Sequence, residues 1–140
     1  KFDEVRQLGA DQVIARGQPL LEVLEKDSVH IVADLVAGPQ WPELLEVLSR
    51  GGRYVASGAI AGPIVELDVR TLYLKDLSFY GSTWQPKRVF ENLIGYIERN
   101  EIGPVVAKTY ALRDVVQAQE DFMGKRFSGK LTIAIGSQIH

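Results

Sequence analysis

The 140-residue sequence predicts an α/β fold, a doubly wound parallel sheet with helices on both faces. Three observations predict it. Short apolar runs alternate with segments whose apolar residues recur every three or four positions, the periods of strands and of surface helices. One run, at 29–36, is apolar at nearly every position, as a strand buried on both faces would be. Glycine and proline fall between the segments, where the chain must turn.

The first helix is predicted over 1–8, with Phe2, Val5 and Leu8 on one face and Gly9 in the C-cap position. A short strand follows at 12–15. Pro19 then opens an amphipathic helix over 19–26 through Leu20, Leu21, Val23 and Leu24. After the dense strand at 29–36, Pro42 starts a helix whose face is Leu44, Leu45, Val47 and Leu48, and Gly51-Gly52 stops it. A strand is predicted at 53–57, a short helix at 69–74 and a strand at 77–81. The longest helix covers 86–100, with Val89, Leu93, Ile94 and Ile97 inward. The tail reads as a strand at 108–112, a helix at 113–123 and an alternating strand at 130–135. Strands and helices in this order imply parallel pairing through crossovers. The regular alternation gives way near Gly103-Pro104, the one candidate boundary.

Composition excludes several classes of function. With a net charge of −2 and its Lys and Arg scattered among acids, the chain offers no footprint for a phosphate backbone, so nucleic acid is not an expected partner. Its apolar stretches are too short to span a bilayer, so neither is a membrane. The absence of cysteine rules out disulfides, thiolate chemistry and Cys-based zinc sites within these residues, and points to the cytoplasm. His30 and His140 have no neighbouring ligands, so no metal is assigned. Because Lys1-Phe2-Asp3-Glu4 reads as the middle of a helix, the chain is expected to be a fragment of a longer one.

Several short motifs stand in a definite order: Leu8-Gly9-Ala10-Asp11 before a strand, Ala33-Asp34-Leu35-Val36-Ala37-Gly38 after one, and Gly51-Gly52-Arg53-Tyr54-Val55 leading to Gly58. Leu77-Ser78-Phe79-Tyr80-Gly81-Ser82 and Ser128-Gly129-Lys130-Leu131-Thr132-Ile133 follow. This ordered set resembles the medium-chain dehydrogenase/reductase family, which includes zinc alcohol dehydrogenases and zinc-free quinone reductases, and the resemblance covers essentially the whole chain. It implies a partial Rossmann-like dinucleotide-binding domain at 1–103 that lacks its first strands. It also implies a segment at 104–140 that returns toward the catalytic domain. In the family, the G-x-G-x-x-G turn precedes the matched region, and the metal ligands and proton relay lie upstream. The expected parent is thus an NAD(P)-dependent oxidoreductase whose N-terminal catalytic domain is missing here, leaving this chain inactive alone. The competing expectation is a non-catalytic α/β interaction module, or a truncated product, that dimerises without binding nucleotide.

Open parallel sheets bind ligands beyond the carboxyl ends of their strands, which singles out three loops. In the first, Val36, Ala37 and Gly38 would let a ribose or pyrophosphate approach the backbone, or Gly38 serves only a turn before Pro39. The resembled family often has glycine where Ala37 stands. In the second, Ser57, Gly58, Ala59 and Ile60 would meet the nicotinamide end, against the alternative of a tight strand exit. In the third, amides at Gly81, Ser82 and Thr83 would bond the carboxamide. Lys1 matches a position where NADPH-preferring relatives place a cation near the 2′-phosphate, which tilts the choice between NADP and NAD toward NADP, or it is a solvated helix residue at the chain start. Lys130 would reach the cofactor or substrate edge, or is an exposed structural lysine. The resemblance further implies a homodimer through the strand carrying Leu77 and Tyr80, an apolar edge that otherwise invites aggregation. Asp34 reads as a cofactor-side acceptor or as a buried acid bonded to nearby backbone. Trp41 and Trp84 read as stacking platforms or as packing.

Overall fold

The computed structural model describes residues 2–136, so Lys1 and His140 lie outside the described residues. The chain divides into two compact units, one formed by 14–86 and the other by 1–13 with 87–140.

In the first unit, β1 (Val29–Asp34), β2 (Leu48–Ala56) and β3 (Ser78–Gly81) form a parallel sheet in the order β1-β2-β3. Between β1 and β2 runs α2 (Trp41–Val47), with Pro42 in its first turn, where the missing N–H costs nothing. Between β2 and β3 runs α3 (Val69–Leu74), whose N-cap Asp68 accepts the Arg70 N–H at 2.9 Å. Val32, Trp41, Leu45, Leu48, Tyr54 and Leu77 make one core on the α2 face of this sheet. Leu48 and Val47 are fully enclosed, each stabilising the fold by about 1.5–3 kcal/mol. Trp41, Tyr54 and Phe79 meet edge to face, with ring centroids 4.8 to 5.6 Å apart.

Four local expectations are corrected. The segment 12–15 forms no ladder, because four residues become a strand only when an adjacent strand takes their backbone groups. The helix expected over 19–26 shrinks to the 3-10 turn Leu20–Glu22: the Leu20 N–H is taken by the Glu43 carboxylate of α2, and the Leu20 side chain is buried. The run at 29–36 is not buried on both faces. It ends as a strand at Asp34, with Val32 and Asp34 buried and Ile31 and Ala33 exposed, the alternation of a strand covered on one side. The helix from Pro42 stops at Val47 rather than at Gly51-Gly52. Leu48 is drawn into register with Val29, and the ladder then jumps so that Ile31 faces Arg53.

In the second unit, α1 (Phe2–Gln7) precedes α4 (Lys87–Glu98), and β4 (Val106–Ala111) and β5 (Lys130–Ala134) pair in parallel, joined through α5 (Val115–Gly124). This is a strand-helix-strand crossover, the connection that parallel neighbours require. Tyr110 and Ala118 are buried between the strand and the helix.

Candidate functional site

The parallel register sets three strand ends level. Asp34 pairs with Ala56, and Ala56 with Gly81, so the loops leaving β1, β2 and β3 emerge from one rim. The ladder runs slightly past the strands: the Ser57 N–H donates to Asp34 O, the Ser82 N–H to Ala56 O and the Ala61 N–H to Val36 O, each at 2.9 Å.

The first loop is the most constrained. Asp34, almost fully buried, accepts the N–H of Val36 at 2.7 Å and of Ala37 at 2.9 Å on one carboxylate oxygen, and the Tyr54 hydroxyl at 2.5 Å on the other. Burial pushes the carboxyl upward, but the Tyr54 hydroxyl and the two amides outweigh it and hold the group below the ordinary aspartate value. Tyr54 in turn holds its proton well above the ordinary range, through burial first and then its bond to Asp34. Of the two readings of Asp34, the structural acid is the one found. Ala37 lies at φ 53° and ψ −151°, a region that costs a residue with a Cβ about 1–3 kcal/mol. Gly38 has φ +78°, and a Cβ there would stand 2.7 Å from Ala61 O. A parallel bridge joins Ala37 to Gly62.

The second loop packs against the first. A Cβ on Gly58 would come within 2.5 Å of Leu35 O, so only glycine lets the two strand exits lie this close. Ser57, Gly58, Ala59 and Ile60 are exposed, Ile60 almost completely. At the third loop a Cβ on Gly81 would meet open space. The Ser82 N–H is already donated within the sheet and the Ser82 hydroxyl accepts from Gln85 Nε2 at 3.0 Å, so that amide is not free for a ligand.

The parallel rim therefore brings together the residues expected at 36–38, 57–60 and 81–83. Lys130 begins β5 in the other unit, exposed, with its N–H donated to Val105 O at 2.8 Å. Trp41 is packing, its Nε1 donating to Glu66 O at 2.8 Å, whereas Trp84 is exposed.

A cleft of about 780 Å³ runs beside β1, between the segment 14–20 and the first rim loop. Val36, Ala37 and Asp34 line it together with Arg16, Gln40 and Glu43; residues 57–60 and 81–83 do not. Sequence reasoning passed over Arg16, Gln40 and Glu43. Only Glu43 carried a signal, as an acid in the first turn of a helix.

The rim carries small residues at its strand exits, with Gly58 seated against Leu35. The family model described as zinc-binding dehydrogenase matches residues 8–133. The quinone oxidoreductase of Mus musculus is 30% identical over 123 residues, covering 82% of this chain and 37% of its own length. A crystal structure from Sinorhizobium meliloti 1021, provisionally named an alcohol dehydrogenase, superposes with a TM-score of 0.82 at 42% identity, covering 96% of this chain and 38% of that one. The Bacillus subtilis protein yhfP, solved with NAD bound, gives a TM-score of 0.74 at 25% identity, covering 95% of this chain and 43% of its own. The chain thus spans little more than a third of the curated relatives it matches, the α/β portion that corresponds to the carboxyl-terminal part of their Rossmann-like nucleotide-binding fold. With nearly its whole length matched, the chain belongs to the zinc-binding dehydrogenase family.

Proposed function

We propose that this chain is the later part of the nucleotide-binding domain of an NAD(P)-dependent oxidoreductase, which moves hydride between a nicotinamide and an alcohol, aldehyde, quinone or enone. One observation carries the reading: the level rim where Gly58 lies against Leu35 and leaves exposed backbone beyond three parallel strand ends. Val36, Ala37 and Gly38 would receive the ribose and pyrophosphate side, and Ser57, Gly58, Ala59 and Ile60 the nicotinamide end. Gly81 and Thr83 would flank the carboxamide. Lys1 near a 2′-phosphate would favour NADP over NAD, and Lys130 would stand at the cofactor or substrate edge. A bound nicotinamide would supply or accept the hydride, and these residues would contribute to positioning it.

The zinc of the family's name finds no ligand set here, since among the described residues no three His, Cys, Asp or Glu side chains gather to hold an ion. No metal step is assigned to these residues. The catalytic groups belong to a domain outside this chain, to which the segment 104–140 would return. Among the described residues no helix is long and apolar enough to cross a membrane. The absence of cysteine suits the reducing cytoplasm.

β3 lies at the edge of its sheet and has Tyr80 more than half exposed, which favours pairing with the same strand of a second copy. Leu77 precedes β3 and is buried in the core, so the pairing would rest on Ser78–Gly81. A monomeric mass in sedimentation of the full-length protein at micromolar concentration would refute the homodimer. Calorimetric titration of the same protein with NADPH and with NADH tests the main reading. Saturable micromolar binding supports it, and absence of heat with either leaves an interaction module instead.

A further inference from the structure

The rim turn at 36–38 is held in a conformation that Ala37 does not favour. Among the non-glycine residues with positive φ that the structure describes, Asp27, Asp76 and Asn100 are types that tolerate it, and Lys125 is a left-handed helix cap. Ala37, at φ 53° and ψ −151°, is neither. Its N–H points to the Asp34 carboxylate, which also holds the Val36 N–H. That carboxylate is itself fixed from β2 by the Tyr54 hydroxyl, and the Tyr54 ring is wedged between Trp41 and Phe79. A chain of contacts therefore runs from the aromatic core to the rim.

We propose that Asp34 and Tyr54 form a positioning pair that presets the strained turn at Ala37 for a dinucleotide. The inference rests on the nucleotide-binding reading above. Neither residue touches the ligand in this account: the carboxylate oxygens are bonded to Val36, Ala37 and Tyr54, so Asp34 acts through the peptide groups that it orients. Without the clamp, Ala37 relaxes to negative φ and the peptides on either side of it rotate. Gly38 then leaves its close seat under Ala61. Binding must reorder the loop, and apparent affinity falls in proportion to the fraction of molecules with the turn already formed. Glycine at position 37 would lower the strain that the clamp opposes.

The test uses the full-length enzyme and the variants Tyr54→Phe, Asp34→Asn and Tyr54→Phe combined with Ala37→Gly. Tyr54→Phe keeps the ring in its cluster and removes only the hydroxyl. It is expected to raise the dinucleotide Kd about three- to tenfold, as a turn formed in a third to a tenth of molecules requires, and to speed hydrogen exchange at the Val36 and Ala37 amides. KM for the dinucleotide should rise while kcat at saturation stays near wild type. Adding Ala37→Gly should restore most of the affinity, which a general loss of stability would not allow. Asp34→Asn should resemble Tyr54→Phe; if it fails to fold, the tyrosine variants decide. Unchanged Kd in Tyr54→Phe with a lowered melting temperature overturns the pair as a positioning device. So does lost affinity that Ala37→Gly leaves unrestored. Wild-type enzyme that binds neither dinucleotide overturns the functional reading, and the pair with it.

Discussion

Gly58 lies against Leu35 so closely that a Cβ at position 58 would stand 2.5 Å from the Leu35 carbonyl oxygen and 3.2 Å from its carbon. The exits of β1 and β2 are joined there with no side chain between them, and Gly58→Ala must push them apart. The backbone cannot yield cheaply, because the Ser57 N–H is bonded to Asp34 O directly beside it. A loss of about 1–3 kcal/mol in unfolding free energy is expected, as for other insertions into a packed site, with weaker dinucleotide binding. Gly81→Ala is the contrast, since its Cβ meets nothing within 4 Å. Its stability should stay within about 0.5 kcal/mol of wild type, so that any fall in affinity reports the ligand. Urea titrations with calorimetry on both variants separate the two effects.

The Asp34 and Tyr54 pair sets limits at both ends of the pH scale. The Asp34 carboxyl is held below its ordinary value of 3.8, so its contribution is present above that value and is lost as pH falls through the lower folded value. Tyr54 holds its proton above the ordinary value of 10.0, so its contribution is present below that value and lost as pH rises beyond it. Tyr54→Phe should remove the alkaline step above about pH 10 and steepen nothing near neutrality. Urea midpoints measured across pH for wild type and Tyr54→Phe check this, and identical alkaline limbs would contradict it.

Lys75 closes the end of α2 from a distance. Its Nζ donates to Leu45 O at 2.8 Å and Glu46 O at 3.2 Å, and pairs with Asp27 at 2.6 Å, while its side chain is only 18% exposed. Those carbonyls belong to the last turn of a seven-residue helix, where partners within the helix run out. Lys75→Met keeps most of the volume and takes the ammonium donor from Leu45 O, while Glu46 O keeps its bond from the Asp27 N–H at 3.1 Å, at a cost of about 1–3 kcal/mol. Thermal unfolding followed by far-UV circular dichroism should show the drop, and Lys75→Arg should show less of it.

Gly129 plays in the second unit the part that Gly58 plays in the first. It has φ +97°, and a Cβ would meet Val105 O at 2.3 Å, immediately before the Lys130 N–H donates to that same oxygen. Gly129→Ala should open the start of the β4 and β5 pairing. A loss of about 1–3 kcal/mol, with faster hydrogen exchange along Lys130–Ala134, is the expected result. Protection equal to wild type would refute it.

Much of this was legible in the residues because it is local. The periodicities marked α3, α4, α5, β1, β3, β4 and β5 to within about two positions, since a stretch's apolar period depends only on its own residues, whereas β2 begins at Leu48 rather than at the expected Arg53. The segments 12–15 and 19–26 misled for the opposite reason: whether they form regular structure depends on partners elsewhere in the chain, an adjacent strand for one and Glu43 for the other. At the rim, the glycines at 38, 58 and 81 could be chosen from their places after strands. The engagement of Ser82 with Ala56 could not, because it exists only once β2 and β3 are in register.

By itself the sequence determined the alternating elements, the absence of thiols and the positions where the backbone must turn tightly, because each follows from residue type and spacing. The tertiary structure alone decided that Asp34 would meet Tyr54 from twenty residues away, that the meeting would hold Ala37 in an unfavourable conformation, and that Gly58 would seat on Leu35. Hydrogen bonds and close contacts between distant residues depend on the register of strands side by side, and that register is fixed by the packed core as a whole.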